Sequence, residues 1–188
     1  RSTLFPYTTL FRSAQQEIQD YVGRLEKSVM TTLQAVSAMV ELRDPYTAGH
    51  QRRVGDLAAA IGVEMGLSPH AVSGLRLMGY VHDIGKIAVP AELLTRPTRL
   101  THTEFSLIKE HSAGGHAVLK DIEFPWPVAE VILQHHERMD GSGYPRGLEG
   151  EQVLMEARII AVADVVEAIT SHRPYRAGLG LDRAVGAV

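Results

Sequence analysis

Apolar residues recur at spacings of three and four along most of this chain, from Ala14 to Ser171. This period is typical of amphipathic helices, and no stretch in that range alternates apolar and polar side chains as a half-buried strand does. Proline and glycine interrupt or restart the pattern at Asp44-Pro45, at Ser68-Pro69 and in the loop 140–150. We expect Ser68 to cap the helix that follows it. Thr101 with Glu104 is a capping-box pattern for a helix that reaches about His111, and a further helix is expected at 114–120. The sequence therefore predicts an all-α fold, a bundle of helices joined by short breaks.

The chain divides into three parts by pattern. Residues 1–13 do not fit the helical period, and we expect a non-native or unstructured leader there. Residues 14–43 form one long helix with a heptad-like apolar stripe, which consists of Ile18, Val22, Leu25, Val29, Val36 and Met39. This stripe is explained equally well by packing on the domain and by pairing with a second copy of the chain. Residues 44–188 are expected to be one helical domain.

The composition excludes several classes of protein. With no cysteine among 188 residues, there is no disulfide framework, thiolate zinc site, iron–sulfur cluster or cysteine nucleophile. A net charge of -3 argues against a broad DNA- or RNA-binding surface, although a local phosphate pocket remains compatible with it. No apolar run approaches the ~18 residues of a membrane span, and no signal peptide is evident, so we expect a cytoplasmic protein.

The sharpest local pattern is the run His82-Asp83-Ile84-Gly85-Lys86. A neighbouring imidazole and carboxylate offer nitrogen and oxygen ligands to a divalent cation, and the carboxylate can bridge two cations. Lys86 lies three residues after Asp83, so a helical turn places its ammonium on the same face. A capped helix end with a His–Asp hydrogen bond is the alternative for these five residues alone.

Two further patterns combine histidine or aspartate with an unusual context. His135 and His136 precede a glycine-rich loop whose backbone can approach an anion. Adjacent helical residues point about 100° apart, so both histidines serve as ligands most easily if two metals lie side by side. Asp164 lies in an otherwise apolar helix, where a carboxylate needs a cation or a network of donors. An ordinary turn and a hydrogen-bonded buried aspartate are the simpler explanations.

The remaining candidates are weak alone and informative together. Arg173 and Arg176 flank Pro174-Tyr175 and suit phosphate contacts or stacking on a base, although a solvated basic turn explains them equally simply. His50 and His111 are isolated histidines. Imidazoles and carboxylates without thiols suit iron, manganese or nickel, with zinc also compatible. Two such metals activate a bridging water for attack on phosphorus, so the residues predict a metal-dependent hydrolase of phosphoesters.

Four motifs, in this order, resemble the HD-GYP phosphodiesterases, a subgroup of the HD superfamily. They are RDPYTAGH at 43–50, HDIGKI at 82–87, HHERMDGSGYP at 135–145, and ARIIAVAD at 157–164 with its RPYR tail at 173–176. The resemblance covers about residues 42–176. It implies a helical HD-domain core that hydrolyses cyclic di-GMP through pGpG toward GMP at a centre of two or three metals.

The resemblance also implies roles for individual residues. The metal ligands would be seven, with Asp83 as the bridge: His50, His82, Asp83, His111, His135, His136 and Asp164. Lys86 would contact the attacked phosphate or the bridging hydroxide, so Asp83 and Lys86 are the predicted catalytic residues. Gly143-Tyr144-Pro145 would line the nucleotide pocket, and Arg173 and Arg176 would hold a phosphate or a guanine.

The chain departs from the family pattern at a few positions. Some members carry a glutamate for a third metal where this chain has Tyr46, so we expect a binuclear site. Met139 replaces the usual tryptophan, and Glu167 replaces a frequent aspartate, a change we expect to be tolerated. The family domain normally continues beyond the position of Val188, so we expect a truncated C-terminus. The helix at 14–43 would ordinarily tie the domain to a sensory module.

The expected protein is therefore a cyclic di-GMP phosphodiesterase with two divalent ions, foremost Fe or Mn, with Ni or Zn as alternatives. A phosphodiesterase for another cyclic dinucleotide, such as cyclic GMP-AMP, is one alternative. A non-catalytic nucleotide sensor or interaction module is the other. Expected partners are the cyclic dinucleotide, a second copy of the chain through the N-terminal helix, and a diguanylate cyclase (GGDEF) protein. The complete set of binuclear ligands favours the enzyme.

Overall fold

The computed structural model of the protein describes residues 5–43, 48–96 and 98–171. These parts contain seven α-helices: α1 Phe5–Glu41, α2 His50–Glu64, α3 Pro69–Val81, α4 Ala91–Leu94, α5 His102–Leu119, α6 Val128–Gln134 and α7 Met155–Thr170. Two 3-10 segments, Ile84–Ala88 and Gly150–Gln152, lie between them. The described residues form no strand beyond one isolated bridge between Asp140 and Glu149. The prediction of an all-α fold is confirmed.

The helix boundaries differ from the predicted ones in two places. The first helix begins at Phe5 instead of Ala14, so the expected leader is helical from Phe5 onward, and its non-native origin stays a prediction. The helices predicted at 101–111 and 114–120 are one helix, α5, which passes through Gly114 and Gly115 without a break. Packing overrides the weak helix propensity of glycine here, because Gly115 lies against Ile132 of α6.

The predicted helix caps are present in the structure. The side chain of Ser68 accepts a hydrogen bond from the backbone N–H of Ala71 at the start of α3. At the start of α5, Thr101 and Glu104 form a capping box, in which each side chain accepts from the backbone N–H of the other. Both caps satisfy donors that the first helical turn leaves without partners.

The hydrophobic core lies between α2, α3, α6 and α7. Its buried side chains include Val54, Ala58, Leu75, Met78, Ile132, Ile160 and Ala163. The end of α1 covers this core next to α3, and it packs there through Met30, Leu33, Val36 and Val40. The four core helices, α2, α3, α6 and α7, or the residues next to their ends carry most of the candidate ligands. Core packing therefore determines how those ligands are placed.

The predicted apolar stripe of α1 divides into two parts. Its early members are exposed by between 44% and 65%: Ile18, Val22, Leu25 and Val29. Val36 packs on the core, whereas Met39 is 64% exposed, so the late part of the stripe packs on the domain only in part. A straight helix drifts relative to a strict seven-residue repeat, and the inward face has moved to Val40. Pairing of the early stripe with a second copy stays a prediction.

Glycines allow two very close backbone contacts beside the candidate ligands. A Cβ on Gly79 of α3 would overlap the Cα of Gly55 in α2. A Cβ on Gly85 would overlap the carbonyl oxygen of His111 in α5. The segment that follows Asp83 therefore lies directly on the backbone of α5, a separation that only glycine permits.

Among the described residues, no helix combines the length and the apolar character needed to cross a bilayer.

The contact at Gly85 generates a prediction about stability. Gly85→Ala should lower the free energy of unfolding by about 2 kcal/mol, because the new methyl group meets backbone atoms that cannot move away. The matched control is Gly114→Ala in α5, where a Cβ would lie 3.6 Å from the carbonyl oxygen of Gly85, an ordinary contact. That control should be neutral or stabilising by up to about 1 kcal/mol through helix propensity. Urea denaturation measures both, and equal effects of the two substitutions would contradict the packing described.

Candidate metal centre

The seven predicted metal ligands lie together although five different parts of the chain supply them. His50 is the first residue of α2, and His82 and Asp83 follow directly after α3. His111 lies in α5, His135 and His136 follow α6, and Asp164 lies in α7. All of them are buried except His136 and Asp164, which are partly buried. Their roles as ligands stay predictions, but the fold brings every one of them to the same place.

The carboxylate of Asp83 lies between two groups of histidines. Its Oδ2 atom is 3.4 Å from Nε2 of His82 and 4.0 Å from Nε2 of His50. Its Oδ1 atom is 3.4 Å from Nε2 of His111. Because the two oxygens face different imidazoles, Asp83 has the orientation of a carboxylate that bridges two cations.

The ligand atoms form two clusters, and Asp83 belongs to the first cluster and faces the second. Two sets of three residues each have their ligand atoms within 4.8 Å of one another: His50, His82 and Asp83 in one, and His111, His135 and His136 in the other. Asp164 extends the first set, since its Oδ1 atom lies 3.1 Å from Nε2 of His50. The arrangement thus offers two neighbouring cation sites that share one carboxylate.

Backbone carbonyls fix the orientation of three of these imidazoles. The Nδ1 atoms of His82, His111 and His135 donate to the carbonyl oxygens of Gly79, Ile108 and Ile132 at 2.8, 2.6 and 2.6 Å. Each carbonyl lies three residues before its histidine, so the same helical geometry anchors all three rings. A proton on Nδ1 leaves the lone pair of Nε2 directed into the centre, as in histidines that bind metals.

Burial keeps the second cluster of histidines neutral. Burial, together with the nearby His111, lowers the pKa of His136 to about 3, and burial lowers the pKa of His135 well below its usual range. The pKa of His111 is also lowered, chiefly by burial. Neutral imidazole is the form that binds a metal, so these three side chains need no deprotonation before they bind one.

The charge of Asp83 is stabilised by its surroundings. Burial alone would raise its pKa, but the adjacent ammonium of Lys86 above all holds the pKa well below its usual range. The Nζ atom of Lys86 lies 2.7 Å from Oδ2 of Asp83, as the spacing of three residues predicted. The bridging carboxylate is thus ionised, with a cationic side chain at its edge.

Glu167 is a functional candidate that the sequence analysis underrated. Its buried carboxylate accepts hydrogen bonds from Nδ1 of His50, from Nε of Arg53 at 2.6 Å and from the hydroxyl of Ser171. Burial raises its pKa, but these partners, His50 foremost, lower it to about 2. Glu167 lies one helical turn after Asp164 on the same face of α7. That spacing in the sequence could have identified Glu167 as a residue of the site.

The two carboxylates of α7 act together on His50. Burial lowers the pKa of His50, but the hydrogen bonds to Asp164 and Glu167 outweigh burial and raise it to about 9. A divalent cation that binds Nε2 of His50 would therefore replace the proton on that atom, while Glu167 keeps its hydrogen bond to Nδ1. Glu167 fixes the ring through the nitrogen that faces away from the centre.

The glycine-rich loop folds back onto the second cluster. The ring of Tyr144 stacks on that of His136, with centroids 4.7 Å apart and planes at 28°. The backbone N–H of Tyr144 donates to the carbonyl oxygen of His136 at 3.2 Å, and the peptide bond to Pro145 is cis. A Cβ on Gly143 would overlap the backbone of Glu137, so glycine is required for this approach.

Glu137 organises the same loop and was missed by the sequence analysis. Its buried carboxylate accepts from the backbone N–H groups of Arg146 at 2.7 Å and Leu148 at 3.0 Å. These contacts join residues nine and eleven positions apart in the sequence, and no local spacing pattern predicts them. Glu137 thereby holds the loop that carries Tyr144 against the centre.

Three residues on which expectations about the site depend lie outside the described residues. They are Tyr46, Arg173 and Arg176. The expectation of a binuclear centre based on Tyr46, and the phosphate contacts expected of the two arginines, stay predictions.

The residues present fit divalent metal ions. The donors are imidazole nitrogens and carboxylate oxygens, the set preferred by iron, manganese, nickel and zinc in the absence of thiolates. Nε2 of His82 is buried and has no hydrogen-bond partner among the described residues. A buried polar atom without a partner is costly, and a metal ligand bond would satisfy it. The two clusters can therefore hold metal ions.

Comparison with known proteins agrees with this chemistry. A family model for the HD domain matches residues 34–188. The cyclic di-GMP phosphodiesterase response regulator RpfG of Xanthomonas campestris is 37% identical over 175 residues, which cover 92% of this chain and 46% of that protein. The 3'3'-cGAMP-specific phosphodiesterase 1 of Vibrio cholerae is 36% identical over 159 residues, which cover 85% of this chain and 37% of that protein. The chain thus spans less than half the length of these relatives.

A solved structure shares the fold. Bd1817, an HDG"Y"P protein from Bdellovibrio bacteriovorus, superposes with a TM-score of 0.63 over 91% of this chain and 56% of that one, at 23% sequence identity. The fold, the family match and the four ordered motifs agree with one another. The chain belongs to the HD domain family, and within it to the HD-GYP group.

Proposed function

We propose that this chain is a metal-dependent phosphodiesterase that hydrolyses cyclic di-GMP to pGpG, GMP or both. The observation that carries the proposal is the position of Asp83, whose two carboxylate oxygens face two separate sets of histidines. Paired metal sites that share a carboxylate are typical of enzymes that cleave phosphoesters. The name of the relative from Xanthomonas campestris supports cyclic di-GMP as the substrate.

The proposed cofactor is a pair of divalent ions, with Fe or Mn foremost and Ni or Zn as alternatives. His50, His82 and Asp164 would hold one ion, and His111, His135 and His136 the other, with Asp83 shared between them. When bound, the ions would polarise the scissile phosphodiester and lower the pKa of a water molecule.

Lys86 is the proposed catalytic partner of Asp83. Its ammonium lies 2.7 Å from Oδ2 of Asp83 at the edge of the centre. There it can neutralise the charge that grows on the phosphate oxygens as the bond to the nucleophile forms. The buried surroundings strengthen this interaction compared with the same contact in water.

Tyr144 and its loop are the proposed wall of the nucleotide pocket. The ring is fixed by stacking on His136, and burial, together with Asp83 and Asp164, raises the pKa of the Tyr144 hydroxyl well above its usual value, so it stays a neutral phenol. Gly143 and Pro145 would shape the wall beside it. We propose that Arg173 and Arg176 supply further contacts to a phosphate or a guanine.

A phosphodiesterase of 3'3'-cyclic GMP-AMP is the second candidate. The relative from Vibrio cholerae with that specificity in its name is 36% identical to this chain, nearly as similar as the cyclic di-GMP relative. The proposed metal centre acts on the phosphodiester and not on the base, so it serves either substrate. A purely non-catalytic sensor is disfavoured because the whole set of binuclear ligands is present.

Product chromatography tests the proposal. Protein loaded anaerobically with Fe(II) or Mn(II) should convert cyclic di-GMP to pGpG or GMP, and a chelator should abolish the reaction, since the ions would be needed to activate the attacking water. Asp83→Asn should lower the rate at least about a thousandfold because the bridging charge is lost. The matched control, Asp121→Asn on the surface, should leave the rate unchanged.

The outcomes distinguish the candidates. A parallel sample of cyclic GMP-AMP reports base selectivity, and faster turnover of that substrate would favour the second candidate. Folded protein with two bound metals that cleaves neither substrate would contradict the proposal. Wild-type turnover by Asp83→Asn would contradict the assigned centre.

Glu167 is predicted to act as a positioning residue for His50. Glu167→Gln should weaken binding of the metal beside His50 by about 10- to 100-fold, because a neutral amide holds the imidazole less firmly in the required tautomer. Competition with a chromophoric chelator measures this affinity directly. The matched control is Glu151→Gln, whose side chain is fully exposed. Equal metal affinities in the two variants would contradict the role.

A further inference from the structure

We propose that a cavity beside Lys86 holds the half of the cyclic dinucleotide that is not being cleaved, an inference that rests on the proposed function. The cavity has a volume of about 620 Å³ and lies between the 84–88 segment, α4 and the loop after it, and the first half of α5. Its lining includes Lys86, Leu93, Arg96, Arg99, Phe105 and Ile108. We call it the distal cavity.

The distal cavity adjoins the metal centre through two shared residues. Lys86 lines the cavity and also places its Nζ atom 2.7 Å from Oδ2 of Asp83. Ile108 lines the cavity, and its carbonyl oxygen accepts the hydrogen bond from Nδ1 of His111. A ligand that reaches from the centre past Lys86 therefore enters the distal cavity directly.

The shape of the substrate requires such a neighbouring space. A cyclic dinucleotide carries two phosphodiesters and two bases on one closed ring. When one phosphodiester lies on the metals, the second phosphate and its nucleoside must occupy the adjacent volume. Ligand pockets of roughly 300–1,000 Å³ are usual for small molecules, so the distal cavity is large enough for a nucleotide.

Arg99 has the chemistry to bind the second phosphate. Of the cationic side chains that line the cavity, Lys86 is paired with Asp83 and Arg96 is paired with Glu104. Arg99 is exposed and makes no ion pair or hydrogen bond within the described part of the chain. A guanidinium with unused donors binds a phosphate with two parallel hydrogen bonds, which fixes the orientation of the ligand.

Phe105 supplies an aromatic face for the second base. Phe105 is 45% exposed and lines the cavity, and Leu93 and Leu100 add apolar surface to the same lining. The Nζ atom of Lys109 lies 5.0 Å from the centroid of Phe105 and also 5.0 Å from that of Tyr144. Two aromatic rings thus lie at the same distance from one ammonium, which suits a ligand that carries bases and a phosphate.

A comparison of two substrates tests the distal cavity. Bis(p-nitrophenyl) phosphate presents a phosphodiester to the metal centre but has no second nucleotide. Arg99→Ala and Phe105→Leu should each lower the ratio of kcat/KM for cyclic di-GMP to kcat/KM for this small substrate at least about tenfold, mainly through KM. The matched control is Arg24→Ala on α1, which removes the same charge outside the cavity and should leave the ratio unchanged. Hydrolysis of the small substrate in the same samples reports that the centre is intact.

The results distinguish failure of the distal cavity assignment from failure of the proposed function. A ratio within about twofold of wild type for both cavity variants would overturn the distal cavity while the proposed function stands. Wild-type protein that hydrolyses the small substrate and no cyclic dinucleotide would refute the proposed substrate and this inference with it. A lowered ratio in either cavity variant, with Arg24→Ala unchanged, supports the assignment.

Discussion

A single buried carboxylate, Asp83, determines how the rest of this structure is arranged. An isolated ionised carboxylate in the interior is strongly unfavourable, so Asp83 requires compensating charge or metal ions around it. Lys86 supplies one such charge, and imidazoles from α2, α3 and α5 surround the two oxygens. The helices that carry those imidazoles must therefore meet at one point, and the core and the close glycine contacts are what allow them to meet.

Around this carboxylate, a second layer of contacts fixes the ligands in place. Carbonyl oxygens one helical turn earlier anchor three histidines, and Glu167 anchors His50. Glu137 holds the loop on which Tyr144 stacks over His136. Preorganised ligands lose little freedom when a metal binds, and a fixed loop loses little when a nucleotide binds. The fold thus orders the residues proposed to bind the metals and the loop proposed to bind the nucleotide before either ligand is bound.

The sequence alone predicted the helical class, the caps and the local motifs, because these depend on neighbours within about one turn. The HDIGK and HHERMDGSGYP motifs are equally local, and the ligand roles that the resemblance implies for them stay predictions. Glu137 and Glu167 were missed or underrated because their partners lie far along the chain, at Leu148 and at His50. The sequence could not decide which part of the α1 stripe packs on the domain, because a strict heptad drifts off the inward face of a straight helix and leaves Met39 exposed. The distal cavity arises only when α4 and α5 pack together, so no motif reveals it.

The proposed metal centre depends on Asp83 being shared by two neighbouring metal sites. Anomalous diffraction from crystals of the Mn-loaded protein tests it most directly, because each ion gives its own peak at the manganese edge. We expect two peaks about 3.5–4 Å apart, one on the side of His82 and the other on the side of His111, with a carboxylate oxygen of Asp83 directed at each. A single peak, or two peaks with Asp83 bound to neither or to only one, would contradict this arrangement.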